Sequence, residues 1–206
     1  MDPSIEANLR RDFPQIAGVD EVGRGPWAGP VTAAAVVLDR RALPKGLTDS
    51  KKLSAKARDR LAAEIQATAH VSIAHADVAE IDEINILQAS MLAMRRAVSA
   101  LPFAPDLALV DGRNVPNGLP CPGQALVKGD ALAESVAAAS IVAKVARDKI
   151  MVALAQQYPG YGWETNAGYG TIAHRDGLAK LGVTPHHRRS FKPIHNILCA
   201  QKLPNS

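Results

Sequence analysis

The chain has 206 residues, of which 47% are hydrophobic, 21% charged and 4% aromatic. This composition excludes a disordered, collagenous or coiled-coil protein, and the length predicts one domain, 1–206, with a sizeable core. Cys121 and Cys199 are too few for a disulfide framework. The chain has no apolar run of the ~18 residues that a membrane span needs and no apolar signal-peptide core at its N-terminus. We therefore expect a cytoplasmic protein that does not enter the membrane.

The net charge of +4 is unevenly distributed along the chain. Residues 171–206 contain six basic residues and one acidic residue, whereas residues 1–170 carry a net charge of −1. A basic C-terminal end favours a polyanionic partner, of which nucleic acid is the most common. Charge alone leaves a solvated basic tail as the alternative.

Apolar runs and periodic apolar positions predict the secondary structure in chain order. We expect strands over 16–20 and 30–38, a helix over 54–69, a strand over 71–76, a helix over 82–100, and strands over 107–110 and 125–127. A long Ala-rich helix follows, with an apolar stripe from Leu132 to Ile150, and a short helix near 172–181. Asp82 is the predicted N-cap of the 82–100 helix, and Pro102 its stop. Strands that alternate with helices predict an α/β layer fold.

Acidic residues end three of the predicted strands, each close to a glycine: Asp20, Asp111 and Asp130. Ligands of α/β sheets bind where strands end, and glycine lets them approach the backbone. Converging carboxylates repel one another unless a cation is present, and Mg²⁺ prefers such oxygen ligands together with phosphate oxygens. Asp is also common in turns, which explains any single one of these residues. The three together predict a site for a hard divalent cation, and the chain has no Cys/His cluster with zinc spacing.

Glu21 directly follows Asp20, and neighbouring residues of a regular strand point to opposite faces. Both reach one metal only if Glu21 lies past the regular end of the strand, which Gly23 and Gly25 permit. The loop 23–26 is neither a P-loop nor a Rossmann fingerprint. Within it, we expect Arg24 to contact a phosphate or to pair with an acidic residue.

The ordered motifs of the chain resemble ribonuclease HII over roughly residues 16–193. They are AGVDEVGRGP at 17–26, DSKKLS at 49–54, IDEINIL at 81–87, VDG at 110–112, KGD at 128–130, AASIVAKVARD at 138–148, GYGTIAH at 168–174 and HHRRSF at 186–191. The resemblance implies a ribonuclease H-like fold, in which a mixed central sheet has helices on both faces. It also implies a helical C-terminal portion, which here is the basic extension from about residue 160 to residue 206.

The resemblance also implies roles for individual residues. The catalytic residues that bind Mg²⁺ or Mn²⁺ would be Asp20, Glu21, Asp111 and Asp130. The residues that contact the ribonucleotide and its 2′-OH would be Gly23, Arg24 and Gly25, and Tyr169 would stack near the sugar at the RNA–DNA junction. The positions matched to the nucleic-acid backbone are Lys51, Lys52, Asn85 and Lys128, and in the basic end we expect phosphate contacts from Arg188 and Arg189.

The activity that the resemblance implies is hydrolysis of the RNA strand of RNA–DNA hybrids and cleavage 5′ to single ribonucleotides in duplex DNA. Two metal ions would activate water and stabilise the leaving oxygen, which leaves 3′-hydroxyl and 5′-phosphate ends. The alternatives are another nuclease or strand-transferase on this fold, a non-catalytic nucleic-acid-binding module, and a metabolite-phosphate enzyme with one Mg²⁺. We expect a monomer, and a sliding clamp that binds the C-terminal tail stays open as a partner.

Overall fold

A mixed five-stranded sheet forms the centre of the computed structural model, which describes residues 1–200; Lys202 and the rest of the tail lie outside the described residues. The strands are β1 (Ile16–Val22), β2 (Val31–Val37), β3 (His70–Ala76), β4 (Leu107–Asp111) and β5 (Gly123–Leu126). Their order is β3-β2-β1-β4-β5, in which β1 pairs antiparallel with β2 and parallel with β4. This arrangement confirms the predicted mixed sheet.

Eight α-helices surround the sheet in the described part of the chain. They are α1 (Pro3–Leu9), α2 (Ala55–Thr68), α3 (Val78–Ser99), α4 (Gly129–Leu132), α5 (Glu134–Gln157), α6 (Trp163–Asn166), α7 (Ile172–Leu181) and α8 (Lys192–Ala200). The predicted strand at 125–127 begins two residues earlier, and a short α4 separates it from the long helix α5. Within residues 1–200, the helices lack the combination of length and apolarity that crossing a membrane requires.

The central strand β2 shows why helices cover both faces of the sheet. Ala33 and Ala35 pack in the cluster that contains α3, whereas Ala34 and Val36 pack in the cluster that contains α2 and α5. Side chains alternate between the faces of a strand, so an uninterrupted apolar run is buried on both sides. The small alanines let the helices approach closely, and the predicted two-sided coverage is confirmed.

Helix α5 crosses β1 at Gly18, where an added Cβ would overlap the backbone of Ser135. The N-cap residue of α5 provides no side-chain acceptor, but the buried Glu6 of α1 accepts hydrogen bonds from the Ser135 backbone N–H at 2.8 Å and hydroxyl at 2.9 Å. A carboxylate at a helix N-terminus is favoured by the helix dipole and the free N–H groups. Helix α1, which the apolar pattern did not predict, therefore fixes the start of α5.

Helix α3 begins earlier than predicted, and Asp82 is not its N-cap. Asp77 and Glu80 form a capping box that starts the helix at Val78. Asn85 then interrupts it with φ 66° and ψ 163°, and its side-chain oxygen accepts from two backbone N–H groups of the next turn, at 3.0 and 3.2 Å. Asn tolerates positive φ and caps helices well, so it starts a second helical segment in the same element.

The C-terminal portion packs on the loop between β1 and β2. Ala28 forms a β-bridge with His187, and Arg188 donates its backbone N–H to the Trp27 carbonyl oxygen at 2.8 Å. Asp82 accepts from the backbone N–H groups of Arg189 and of Ser190, each at 2.9 Å. The described part of the basic end is therefore folded against the sheet domain rather than a solvated tail.

Candidate active site

A cavity of about 360 Å³ lies where β1, β4 and helix α4 meet, and we call it the acidic cavity. Its lining residues are Asp20, Glu21, Val22, Ser50, Lys51, Asp111, Asp130, Ser140, Lys144 and Tyr169. Parallel pairing of β1 with β4 places Asp20 and Asp111 at the same edge of the sheet. The Gly129 backbone N–H donates to Asp111 Oδ1 at 2.7 Å, which holds the start of α4, and with it Asp130, beside β4.

Glu21 lines the acidic cavity together with Asp20, but not for the predicted reason. Strand β1 continues to Val22, and Glu21 pairs with Ala33 inside it, so the expectation that Glu21 lies past the end of the strand is wrong. The Asp20 carboxylate accepts a hydrogen bond from the Glu21 backbone N–H at 2.7 Å. Both residues line the cavity although they are neighbours within a regular strand.

Burial and the charges of neighbouring carboxylates raise the pKa values of the acidic residues in the cavity. Burial raises the pKa of Asp20 well above its usual value, and the charges of Glu21 and Asp111 raise it further, against a hydrogen bond from Ser140. Burial also raises the pKa of Glu21, and burial together with the charge of Asp130 raises the pKa of Asp111. Desolvation and like charges both disfavour the ionised form, so an added cation would stabilise this site.

The donor set of the cavity fits a hard divalent cation. Glu21 Oε2 is buried and has no hydrogen-bond partner among the described residues, so one carboxylate oxygen is left for a ligand. Within residues 1–200, no three His, Cys, Asp or Glu side chains already lie close enough together to hold a metal ion, so the four carboxylates line the cavity without forming a ready-made metal site. Carboxylate oxygens suit Mg²⁺ or Mn²⁺, which retain waters and take phosphate oxygens as further ligands.

The loop between β1 and β2, residues 23–30, which we call the glycine loop, does not line the cavity but contacts two residues that do, Glu21 and Tyr169. Arg24 Nη1 is 3.4 Å from Glu21 Oε1, so Arg24 pairs with an acidic residue, one of its two expected roles. A Cβ on Gly25 would lie 3.2 Å from Cε1 of the Tyr169 ring. Tyr169 as a whole is 48% exposed. Gly23 has φ +98°, a conformation that favours glycine, and an added Cβ there would overlap the Arg147 side chain.

Arg188 does not face solvent, and its predicted phosphate contact is wrong. The side chain is fully buried and donates to the carbonyl oxygens of Gly29 at 2.9 Å, Arg24 at 3.1 Å and Gly23 at 2.6 Å. Burial, and secondarily the charge of Arg147, lowers the pKa of Arg188 to about 9. With its donors directed at backbone carbonyls, Arg188 holds the glycine loop in place.

Arg147 of α5 does the same for the far side of that loop. It is buried and donates to the carbonyl oxygens of Pro30 at 2.9 Å, Ala28 at 3.1 Å and Ala167 at 2.9 Å. Burial lowers the pKa of Arg147 to about 10. The sequence motifs predict no role for Arg147, because nothing in its local sequence indicates partners at Pro30 and Ala28, which lie 117 and 119 positions away.

Of the remaining predicted binding residues, one lines the acidic cavity and four do not. Lys51 lines the cavity, with its Nζ 3.9 Å from Asp130 Oδ2. The residues that do not line it are Lys52, Asn85, Lys128 and Arg189. Three polar lining residues were missed: Ser50, Ser140 and Lys144. Two of them lie four residues apart in the Ala-rich part of α5, and polar residues at that spacing on an apolar helix are the signal that would have found them.

The sheet order, the helices on both faces and the carboxylates at the strand ends define the ribonuclease H-like class of nucleases. A family model described as Ribonuclease HII matches residues 17–194. A protein called Ribonuclease HII from Cereibacter sphaeroides is 66% identical over 192 residues, covering 93% of this chain and 91% of the relative. One from Paracoccus denitrificans is 60% identical over 197 residues, covering 96% and 94%. The chain belongs to the ribonuclease HII family, and it is therefore an enzyme, a hydrolase that cleaves nucleic acid.

Solved structures agree with this fold. Ribonuclease H2 from Pyrococcus horikoshii OT3 superposes with a TM-score of 0.76 at 28% identity, over 92% of this chain and 100% of that one. Ribonuclease HII of a PCNA complex from Archaeoglobus fulgidus gives 0.69 at 28% identity, over 88% and 96%. Bst-RNase HIII in complex with Mn²⁺ gives 0.74 at 23% identity, over 91% and 70%, and supports the fold alone.

Proposed function

We propose that this enzyme hydrolyses the RNA strand of RNA–DNA hybrids and cuts duplex DNA 5′ to a single embedded ribonucleotide, leaving 3′-hydroxyl and 5′-phosphate ends. The observation that carries the proposal is the sharing of one cavity by four carboxylates, Lys51 and Tyr169. The carboxylates suit phosphodiester hydrolysis, and the aromatic ring beside them suits contact with a sugar or a base. The family of the chain supports the same substrate class.

In this proposal, Asp20, Glu21, Asp111 and Asp130 hold Mg²⁺ or Mn²⁺. When bound, such cations lower the pKa of the attacking water and stabilise the leaving 3′-oxygen. The relief of carboxylate repulsion supports this role, because burial and like charge raise the pKa of Asp20. Lys51, exposed at the rim near Asp130, is suited to hold a phosphate of the substrate strand.

Recognition of the ribonucleotide falls to the glycine loop and Tyr169. A trans peptide directs its C=O and N–H to opposite sides. Because the carbonyls of Gly23 and Arg24 point at Arg188, the N–H groups of Arg24 and Gly25 point away from it. Two adjacent N–H groups beside an exposed ring suit a 2′-hydroxyl and its phosphate, and the 2′-hydroxyl is the group that distinguishes RNA from DNA.

We further propose that residues 1–206 act as one catalytic domain and as a monomer. The support for one domain is the contact between the C-terminal portion and the loop that carries Gly23 and Arg24. A sliding clamp remains a candidate partner, since one structural relative is described in complex with PCNA. The predicted contact through the tail beyond residue 200 lies outside the described residues.

The test is a cleavage assay with four end-labelled duplexes: DNA, RNA, an RNA–DNA hybrid, and DNA with one ribonucleotide. With Mg²⁺ or Mn²⁺, we expect cleavage of the hybrid and a single cut 5′ to the embedded ribonucleotide, with the DNA duplex intact. Asp111→Asn is the control for a contaminating nuclease. Binding of all four duplexes without metal-dependent cleavage would instead identify a non-catalytic nucleic-acid-binding module.

A further inference from the structure

Two histidines form a buried hydrogen-bonded pair behind Tyr169, outside the acidic cavity. His174 of α7 and His187 are both fully buried, and their Nε2 atoms lie 3.0 Å apart. Trp163 Nε1 is 3.1 Å from the same Nε2 atom of His174, and His174 Nδ1 is 3.0 Å from the Tyr169 carbonyl oxygen. The pair thus connects the turn at 184–187 to the residue whose ring lines the cavity.

The partners of the two rings determine where their protons lie. The Thr184 backbone N–H donates to His187 Nδ1 at 2.9 Å, so neutral His187 carries its proton on Nε2. The Trp163 indole can only donate, so His174 Nε2 is an acceptor, shared between Trp163 and His187. His174 therefore carries its proton on Nδ1 and donates it to the Tyr169 carbonyl oxygen. Burial lowers the pKa of both histidines, for His187 to about 3, which agrees with two neutral rings.

The segment that accepts the hydrogen bond from His174 has an unusual backbone conformation. Ala167 and Gly168 both have positive φ, 48° and 85°, and Ala rarely adopts this conformation. Tyr169 follows directly, with its ring against Gly25 and about half of the residue exposed. An exposed ring gains little orientation from packing, so its position depends on the backbone that carries it.

We propose that His174 and His187 are positioning residues for Tyr169, acting through a directional relay from the Thr184 N–H to the Tyr169 carbonyl oxygen. The relay holds the Tyr169 carbonyl oxygen, which also accepts from the Thr171 backbone N–H at 2.8 Å, and thereby orients the ring over Gly25 at the acidic cavity. Its effect on catalysis rests on the proposed function, in which Tyr169 contacts the ribonucleotide junction. The geometry of the relay itself is independent of that function.

Two substitutions of His174 separate positioning from general stability. In His174→Asn, the side-chain amide N–H occupies the place of Nδ1 and keeps the donor to Tyr169. In His174→Gln, the amide oxygen occupies the place of Nε2 and keeps the acceptor for Trp163 and His187, but the donor to Tyr169 is lost. Both variants shorten or reshape the same buried side chain, so each is the matched control of the other.

We expect His174→Gln to lower cleavage of the single-ribonucleotide duplex relative to the long hybrid by about tenfold, the equivalent of one hydrogen bond. His174→Asn should keep the wild-type ratio, because its amide N–H donates to Tyr169 without needing His187 to set a tautomer. In a Tyr169→Ala background neither variant should change the ratio. The proposal is overturned if both variants change the ratio equally, or if the ratio follows the thermal unfolding midpoint rather than the retained hydrogen bond.

A measurement without substrate keeps the proposal testable if the variants unfold or if the proposed function fails. ¹⁵N-histidine NMR of the wild-type protein should show His174 as the Nδ1–H tautomer and His187 as the Nε2–H tautomer. The opposite tautomer at either ring overturns the relay. If the tautomers agree but wild-type enzyme cleaves neither ribonucleotide substrate, the proposed function fails while the relay stands.

Discussion

The acidic cavity and the buried cluster behind it differ in how far their polar groups are paired within the protein. The cluster, which we call the C-terminal core, contains Arg147, Trp163, His174, His187 and Arg188. In the cavity, buried carboxylates raise one another's pKa, and an oxygen of Glu21 lacks a partner in the described chain. In the C-terminal core, each guanidinium donates to three carbonyl oxygens, and the imidazoles satisfy each other and their neighbours.

The difference indicates which partner each region is built for. Buried polar groups are normally satisfied by the protein itself, and a buried charge without a partner is costly. The C-terminal core follows the first part of this rule, because its donors are taken up by backbone carbonyls of the glycine loop, Ala167 and Tyr169. Its buried guanidinium groups still carry a cost, since burial lowers the pKa of both Arg147 and Arg188. The acidic cavity departs from it because its partners in the proposed function, cations and a phosphate, arrive with the substrate complex.

The largest effect is expected when one carboxylate is removed from the cavity. We expect Asp20→Asn or Asp111→Asn to lower cleavage by about a thousandfold or more, roughly 4 kcal/mol in the activation barrier. Because the folded-state pKa of each group is raised, its ionisation destabilises the fold as the pH rises through that pKa. The metal-free variants should therefore be as stable as the wild type at pH 7, or more so.

Thermal unfolding with and without Mn²⁺ measures the same effect apart from activity. The cation should raise the wild-type midpoint by mass action and raise the midpoint of either Asn variant less. Near wild-type cleavage by either variant would show that these carboxylates are not the metal ligands.

Substitutions of Arg188 and of its neighbour Arg189 test the C-terminal core. Arg188→Ala leaves three carbonyl oxygens of the glycine loop without donors, so we expect a loss of about 3 kcal/mol in the free energy of unfolding, roughly 10 °C in the midpoint. Arg189→Ala, which removes a side chain that the structure leaves exposed, should change stability by less than about 0.5 kcal/mol.

The salt dependence of duplex binding provides the second readout for this pair. Each phosphate contact contributes about 0.9 to the log–log slope on a B-form duplex, and only Arg189→Ala is expected to reduce it. A flatter slope with an unchanged unfolding midpoint for Arg188→Ala would restore the phosphate contact that the sequence predicted.

Tyr169 lies at the boundary between the two regions, and its substitution tests what the ring contributes to cleavage. Aromatic contacts with a base or sugar contribute about 1–3 kcal/mol, so Tyr169→Ala should lower cleavage of the single-ribonucleotide duplex about 10- to 100-fold. The loss on a long hybrid should be much smaller, because register matters less there. Tyr169→Phe should be mild if stacking dominates and as severe as Ala if the hydroxyl is required. Equal losses on both substrates would assign Tyr169 to packing alone.

The last test concerns the pH dependence of stability that His187 imparts. Burial lowers the pKa of His187 to about 3, so the unfolded chain takes up a proton below pH ~6.5 while the folded protein does not. This contribution to stability is present above that pH and is lost as the pH falls towards 3. In urea unfolding between pH 6 and 4, His187→Gln should flatten the dependence by up to about 1.4 kcal/mol per pH unit. An unchanged slope would mean that His187 is protonated in the folded state.

Much of the fold and the carboxylate set was predictable because the signals are local. The apolar run of β2 and the acid that follows β4 are read from neighbouring residues, and parallel strands end at one edge of a sheet. Boundaries were less accurate. Asp77, rather than Asp82, begins α3, because Glu80 lies three residues after Asp77 and completes a capping box, a signal that the apolar periodicity does not contain.

The amino-acid sequence is sufficient to predict the alternation of strands and helices, the acids at the strand ends and the glycines beside them, since periodicity and turn chemistry act over a few residues. The partner of each charge depends instead on the tertiary structure. Arg188 and Arg189 are adjacent and chemically identical, yet one is buried against the glycine loop and the other is exposed. Adjacent side chains diverge from the backbone, and which one points inward depends on a loop more than 150 residues earlier in the chain, at Gly23 and Gly29.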